Sequence, residues 1–230
     1  MAERIAPRDR RAALRQATAA LKVFPLHGVA VLPGTPAPFH IFEPRYKALV
    51  ADALEGDRML AVPALFTKAD AHAAQPRVKA VCGAGYIEAE EKYPDGRYDI
   101  VVRGLARVRL VAELPGTKPY REFRAEILED QLPAGGVAAL RNELEALRQI
   151  VYELSTKLPK ESGAPQLAEA VAQMKDPSAI VDLVSAAAIS DADTRQEVLE
   201  QLDVAKRLEM VIEEVAGVVL VLGRGKGPKV

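Results

Sequence analysis

A chain of 230 residues, 49% of them hydrophobic, is long enough to bury a core and too apolar to be read as disordered. Lys and Arg number 31 against 32 Asp and Glu, and this balance argues against a folded body built to grip DNA or RNA phosphates. The single cysteine, Cys82, allows no internal disulfide, and no apolar run reaches the ~20 residues needed to span a bilayer.

The charge is unevenly spread. Residues 1–22 carry six Lys/Arg against two Asp/Glu without the apolar stretch of a secretory signal. Glu3, Asp9 and the scarcity of hydroxyl residues speak against an organelle transit peptide. The expectation is a basic helical arm over 1–20 on a soluble, cytoplasmic protein. Residues 137–216 are acidic, with eight basic against fifteen acidic side chains. The last fourteen residues carry three basic groups and no acidic one, and 219–230 reads as a disordered basic tail.

Taken in chain order, short apolar runs predict strands at 23–26, 29–32, 39–42, 59–66 and 78–89. A helix interrupts them: Pro44 suits a first helical position, and Tyr46, Leu49, Val50 and Ala53 fall on one face. Pro94-Asp95-Gly96-Arg97 is a hairpin turn, because proline presets one φ and Asp-Gly accepts the positive φ of a tight reversal. Beyond it Val108 and Leu110 alternate with Arg107 and Arg109, and Gly104 predicts a bulge or a bend. A last strand is expected within 120–132. Pro133, Gly135 and Gly136 then break both periods, dividing a β-rich module at 21–133 from a helical part at 134–218. There, Leu140, Leu144, Leu147, Val151 and Leu154 mark one helix and 165–174 a shorter one. Asp176-Pro177 caps a third. Ser190 or Asp191 opens the longest, with Val198, Leu202, Ala205, Leu208, Ile212 and Val215 as its buried stripe.

No catalytic or cofactor signature emerges. His27, His40 and His72 have no ligand-spaced partners, so no metal site is expected. Cys82 lies in a small apolar strand pattern with no activating base. Neither a phosphate-binding G-x-x-x-x-G-K-[ST] loop nor a G-x-S-x-G elbow is present. No cofactor is expected, and the chain reads as a non-enzyme.

Three stretches resemble the N-terminal substrate-binding domain of the Lon family of ATP-dependent proteases. They are "FPLHGVAVLPGTPAPFHIFEPRYKALVADAL", "GAGYIEAEEKYPDGRYDIVVRGLARVRL" and "DPSAIVDLVSAAAISDADTRQEVLEQLDVAKRLEMVIEEV", in family order over residues 21–215. The resemblance implies an α+β fold, in which an N-terminal β-rich PUA-like barrel module is followed by a C-terminal α-helical bundle. It also implies binding without catalysis, since the ATPase and peptidase modules of the full protease have no counterpart in these residues. The expected partners are unfolded or peptide segments of other proteins, with a protease as a further partner if the protein acts as an adaptor. Neither DNA nor membrane is expected. A groove would bury apolar side chains, and an open strand edge would pair with an extended peptide. An RNA-binding PUA-like protein is the alternative. The candidate peptide-binding residues are Pro33, Phe39, Phe42 and Tyr46, although large apolar residues in short strands are more often core.

Overall fold

A computed structural model describes residues 5–67, 70 and 76–223. The chain divides into two compact units, Met1–Glu129 and Asp130–Val230. The first is a sheet with two helices and the second is helical, so the fold is mixed α+β.

Six strands form the sheet: β1 (Leu21–Val23), β2 (Pro36–Ile41), β3 (Met59–Val62), β4 (Val81–Lys92), β5 (Tyr98–Glu113) and β6 (Arg121–Leu128). Bonded neighbours run β2-β5-β4-β3-β1-β6, and β5 also pairs with β6. Pairing therefore returns on itself through five strands, with β2 attached outside them to β5. The pair β1–β3 is parallel and the others are antiparallel. β5 serves three neighbours because it bends. Its register against β4 shifts where Ala84 and Gly85 face Ala106 and Gly104, which makes Leu105 the extra residue of the bulge expected there.

The segment 29–32 is not a strand. Val31 and Leu32 are buried, and their carbonyls lie flat on the sheet over Gly83 and Gly104. A Cβ on Gly83 would overlap the Val31 carbonyl oxygen, and one on Gly104 that of Leu32. Glycine is needed at both positions for closeness of approach. The early strand is also shifted, to 21–23, with Leu26 forming only an isolated bridge to Ala64.

Two helices complete the unit. α1 (Arg10–Ala17) follows a 3-10 turn at Pro7–Asp9 and buries Leu14 and Ala17 among Tyr86, Val108 and Phe123. The expected arm is thus part of this core. α2 (Pro44–Glu55) has Pro44 in its first turn and buries Tyr46, Leu49, Val50 and Ala53 against Phe24, Ile100 and Val102. Arg58, fully buried at φ 62°, donates to the Ile87 carbonyl at 3.0 Å and pairs with Glu90.

The second unit comprises α3 (Arg141–Lys157), α4 (Ala164–Gln173), α5 (Pro177–Ala188), α6 (Ala192–Glu200) and α7 (Val204–Gly223). Asp176 caps α5 through the Ser178 amide (3.0 Å), and Asp191 caps α6 through that of Thr194 (2.8 Å). The single long helix expected after Asp191 is two helices. Gln201–Asp203 leaves the helical path because Gln131 bonds across it, donating to Leu202 O (2.8 Å) and accepting from Val204 N (3.0 Å). The buried stripe of α7 is therefore Val204, Leu208, Val211, Val215 and Val219, while Leu202, Ala205 and Ile212 are only half-buried. Residues 219–223 belong to this helix, and the rest of the expected tail, 224–230, lies outside the described residues.

Arg207 is the polar anchor of the second unit. Fully buried on α7, its Nη1 donates to Asp130 Oδ1 (2.8 Å) and Gln201 O (2.9 Å), and its Nε lies 3.8 Å from buried Asp182. Replacing Arg207 with alanine removes the guanidinium facing Asp182 and should cost roughly 3–5 kcal/mol of stability in denaturant unfolding. Gly83→Ala should cost roughly 3 kcal/mol by overpacking against the Val31 carbonyl. A Gly83→Ala protein that unfolds at the parent's denaturant midpoint would contradict that contact.

Candidate functional site

β2 is a free edge with a specific chemistry. Gly104 N donates to Thr35 O at 2.9 Å, which sets the parity of the β2–β5 ladder. By that parity the amides of Ala37, Phe39 and Ile41 face β5, and the backbone groups of Pro36, Pro38 and His40 face outward. Proline has no N–H, so among these three outward positions only His40 keeps a donor. Such an edge resists the addition of another strand, which weighs against the strand-pairing mode expected from sequence at this edge.

The outer face of β2-β5-β4 offers something else. Pro38, Val101 and Ala89 stand opposite one another across the three strands, and His40, Asp99 and Glu91 form the next row. They line a shallow groove of about 550 Å³, with the backbone of Phe39, Glu90 and Ile100 between them. Alternation sends those three side chains to the other face. There Ile100 is buried, Phe39 packs edge-on against Phe24 at 5.5 Å, and Glu90 pairs with Arg58.

The polar row is internally bonded. Tyr93 donates its hydroxyl to Asp99 Oδ2 (2.6 Å), and His40 Nδ1 lies 2.5 Å from Asp99 Oδ1. The Tyr93 hydroxyl and His40 hold the Asp99 carboxyl below the usual carboxylate range, and the Asp99 bond pushes the Tyr93 phenol up. Arg97 Nη1 lies 3.4 Å from His40 Nε2, and the Phe42 ring stacks beside His40 at 6.2 Å.

The four residues singled out by sequence separate. Tyr46 is 6% exposed, its ring 4.7 Å from that of Phe24, and burial raises its phenol. Phe39 and Pro33 are half-buried, and Phe42 is 61% exposed at the rim of the polar row. Only Phe42 presents its ring to solvent. Pro38, His40, Ala89, Glu91, Asp99 and Val101 were missed. The signal for Pro38 and His40 was in the alternation of Pro36–Ile41, but Ala89 and Val101 join them only through strand register.

Little here resembles a reactive site. Cys82 is fully buried, and burial pushes its thiol far up, so it stays protonated. Asp99, Arg97, Phe42 and Tyr93 stand around His40, and the one hydroxyl among them, that of Tyr93, donates to Asp99 and not to the imidazole. His27 is exposed, and His72 lies outside the described residues. Among the described residues no group of His, Cys, Asp or Glu is placed to hold a metal ion, and no helix is long and apolar enough to cross a membrane.

The first unit thus combines a proline-bearing sheet edge with a shallow groove on its outer face. Comparison with known proteins gives its kin. Residues 20–217 match the family model of the ATP-dependent protease La (LON) substrate-binding domain, and the chain belongs to that family. It is 31% identical over 195 residues to a Lon protease of Salinispora arenicola, covering 84% of this chain and 23% of the relative. A Lon protease 2 of Myxococcus xanthus is 29% identical over 198 residues, again with 84% and 23% covered. The chain therefore spans about a quarter of the length of these curated relatives. The N-terminal domain of a Mycobacterium avium complex Lon protease shares the fold, with a TM-score of 0.67 at 18% identity, covering 86% of this chain and 98% of that domain. A Lon N-terminal domain protein from Xanthomonas campestris gives a TM-score of 0.58 at 18% identity, covering 84% and 97%.

Two alanine substitutions separate surface from core. Phe42→Ala should change stability by no more than about 0.5 kcal/mol, because its ring is largely in solvent. Phe39→Ala should cost about 1–3 kcal/mol through lost packing on Phe24. Thermal unfolding of the two variants beside the parent measures the difference.

Proposed function

We propose that this protein is a non-catalytic binding module that holds extended segments of unfolded polypeptide in the groove over β2, β5 and β4. The observation that carries the reading is the groove itself: an apolar row of Pro38, Val101 and Ala89 beside a polar row, on a sheet whose free edge discourages strand pairing. Family membership supports protein substrates as the ligand class. Capture relies on apolar side chains settling on the groove floor, with a few contacts supplying most of the energy. The module acts through differential affinity for unfolded over folded chains. It would present bound segments to a protease as an adaptor, or withhold them from one. A cytoplasmic setting is part of the proposal, since a single cysteine leaves the chain without an internal disulfide. The closed pairing of β1, β3, β4, β5 and β6 suits a PUA-like barrel, and the second unit suits a helical bundle. The RNA-binding alternative is weaker, because arginines beside the groove are engaged with carboxylates, Arg103 with Glu88 and Arg97 with Asp95.

Fluorescence anisotropy with a labelled protein in reduced, unfolded and native forms tests the reading. The unfolded form should bind with a Kd on the order of micromolar or weaker, about 8 kcal/mol or less, and the native form should not bind measurably. Ala89→Arg, which sets a long side chain into the groove from an exposed position, should weaken binding at least tenfold without lowering the melting temperature. Equal binding of both forms, or none at high micromolar concentration, would overturn the proposal. Tight binding of single-stranded RNA that collapses with added salt would favour the alternative.

A further inference from the structure

The groove places two carboxylates face to face. Glu91 on β4 is in register with Asp99 on β5, and both project from the outer face. Like charges directly opposite on a sheet repel; His40 and Arg97 offset this on the Asp99 side, and Glu91 is left as the side of the pair open to a further cation. Asp99 is partly satisfied by Tyr93 and His40. Glu91 is exposed and forms no ion pair among the described residues. The neighbouring Glu90 does not share its role, because its carboxylate turns inward to Arg58. One row away, Pro38, Val101 and Ala89 supply an apolar floor without charge.

We propose that the groove selects extended segments in which a lysine or arginine stands two positions from an apolar residue. The inference rests on the reading of the groove as a polypeptide site and adds the chemistry of what it prefers. The two rows are one strand repeat apart, about 7 Å at two residues of extended chain, and the same spacing separates side chains i and i+2 of an extended peptide. An apolar side chain on Val101 and Ala89 therefore brings its i+2 neighbour over Glu91 and Asp99. A cationic group there relieves the repulsion between the carboxylates, and its aliphatic stem adds apolar contact to the floor. A carboxylate at i+2 would add a third negative charge. The recognition needs no backbone pairing, consistent with an edge stripped of donors at Pro36 and Pro38.

Three labelled peptides identical except for Lys, Gln or Glu at the position two after a leucine test this against the full chain in anisotropy titrations at low salt. The Lys peptide should bind about three- to fivefold tighter than the Gln peptide, the range of an exposed ion pair, and the Glu peptide more weakly than either. In Glu91→Gln the ratio of Lys-peptide to Gln-peptide affinity should fall toward one, and the melting temperature should not fall, since one of two facing carboxylates has lost its charge. Equal affinity of the parent for the Lys and Gln peptides, or a Lys advantage that persists in a Glu91→Gln, Asp99→Asn double variant, overturns the preference and leaves the polypeptide site standing. Failure of all three peptides to bind removes both.

Discussion

The first unit depends on one close approach: the backbone of Val31 and Leu32 lying directly on the sheet, where Gly83 and Gly104 leave no side chain between. That contact fixes where the chain turns into β2. Gly34 N donates to Gly104 O and Gly104 N to Thr35 O, both at 2.9 Å, and these bonds set the ladder that follows. A slip of one residue would exchange the faces of β2. Phe39 and Ile41 would leave the core, and the prolines would fall where β5 needs donors. Two glycines on the long hairpin thus decide both the blocked edge and the composition of the groove.

Among the buried arginines, Arg58 in the first unit and Arg207 in the second do similar geometric work. Arg58 reaches from the start of β3 to the Ile87 carbonyl and to Glu90, which locks the stretch of β4 around its second register shift. With Glu90 held inward, the next carboxylate, Glu91, must point out over the groove. Arg207 draws Asp130, the Gln201 carbonyl and Asp182 around the start of α7 and stabilises the break that separates α6 from it. Buried ion pairs are expensive to desolvate and are weak evidence of net stability. What these two supply is position, since each guanidinium has several donors in a fixed fork and few arrangements can satisfy them.

The groove combines features that would be unremarkable apart. An apolar row on an outward sheet face is common, and so is a bonded His-Asp-Tyr cluster. Together, beside an edge that resists an added strand, they make side-chain capture the mode of binding proposed above. This accords with a substrate-binding family, because unfolded chains share no backbone structure and offer mainly apolar and charged side chains to recognise.

Local patterns were legible in the sequence where a segment's own period decides its structure. Pro44 with Tyr46, Leu49, Val50 and Ala53 predicts α2 and its buried face, the turn at Pro94–Arg97 predicts the hairpin, and Asp176 and the pair Ser190 and Asp191 predict two helix starts, because each rests on neighbours within a few residues. The family, too, was legible, from motifs that run nearly the length of the chain. Features set by distant residues were hidden. The segment 29–32 has the composition of a strand, but its backbone rests on glycines more than fifty residues away. The helix after Asp191 contains no Gly or Pro at its break, which is imposed by Gln131. Phe42 and Tyr46 are both aromatic and four residues apart, yet one is in solvent and the other in the core, because the strand ends between Ile41 and Pro44 and the helix turns only its own face inward. Sequence by itself determined those elements whose pattern is local, such as α2 and the hairpin at Pro94–Arg97, and the family. Only the tertiary structure decided the groove, since its two rows are assembled by register across three strands, and register is a relation between residues that no single stretch of chain contains.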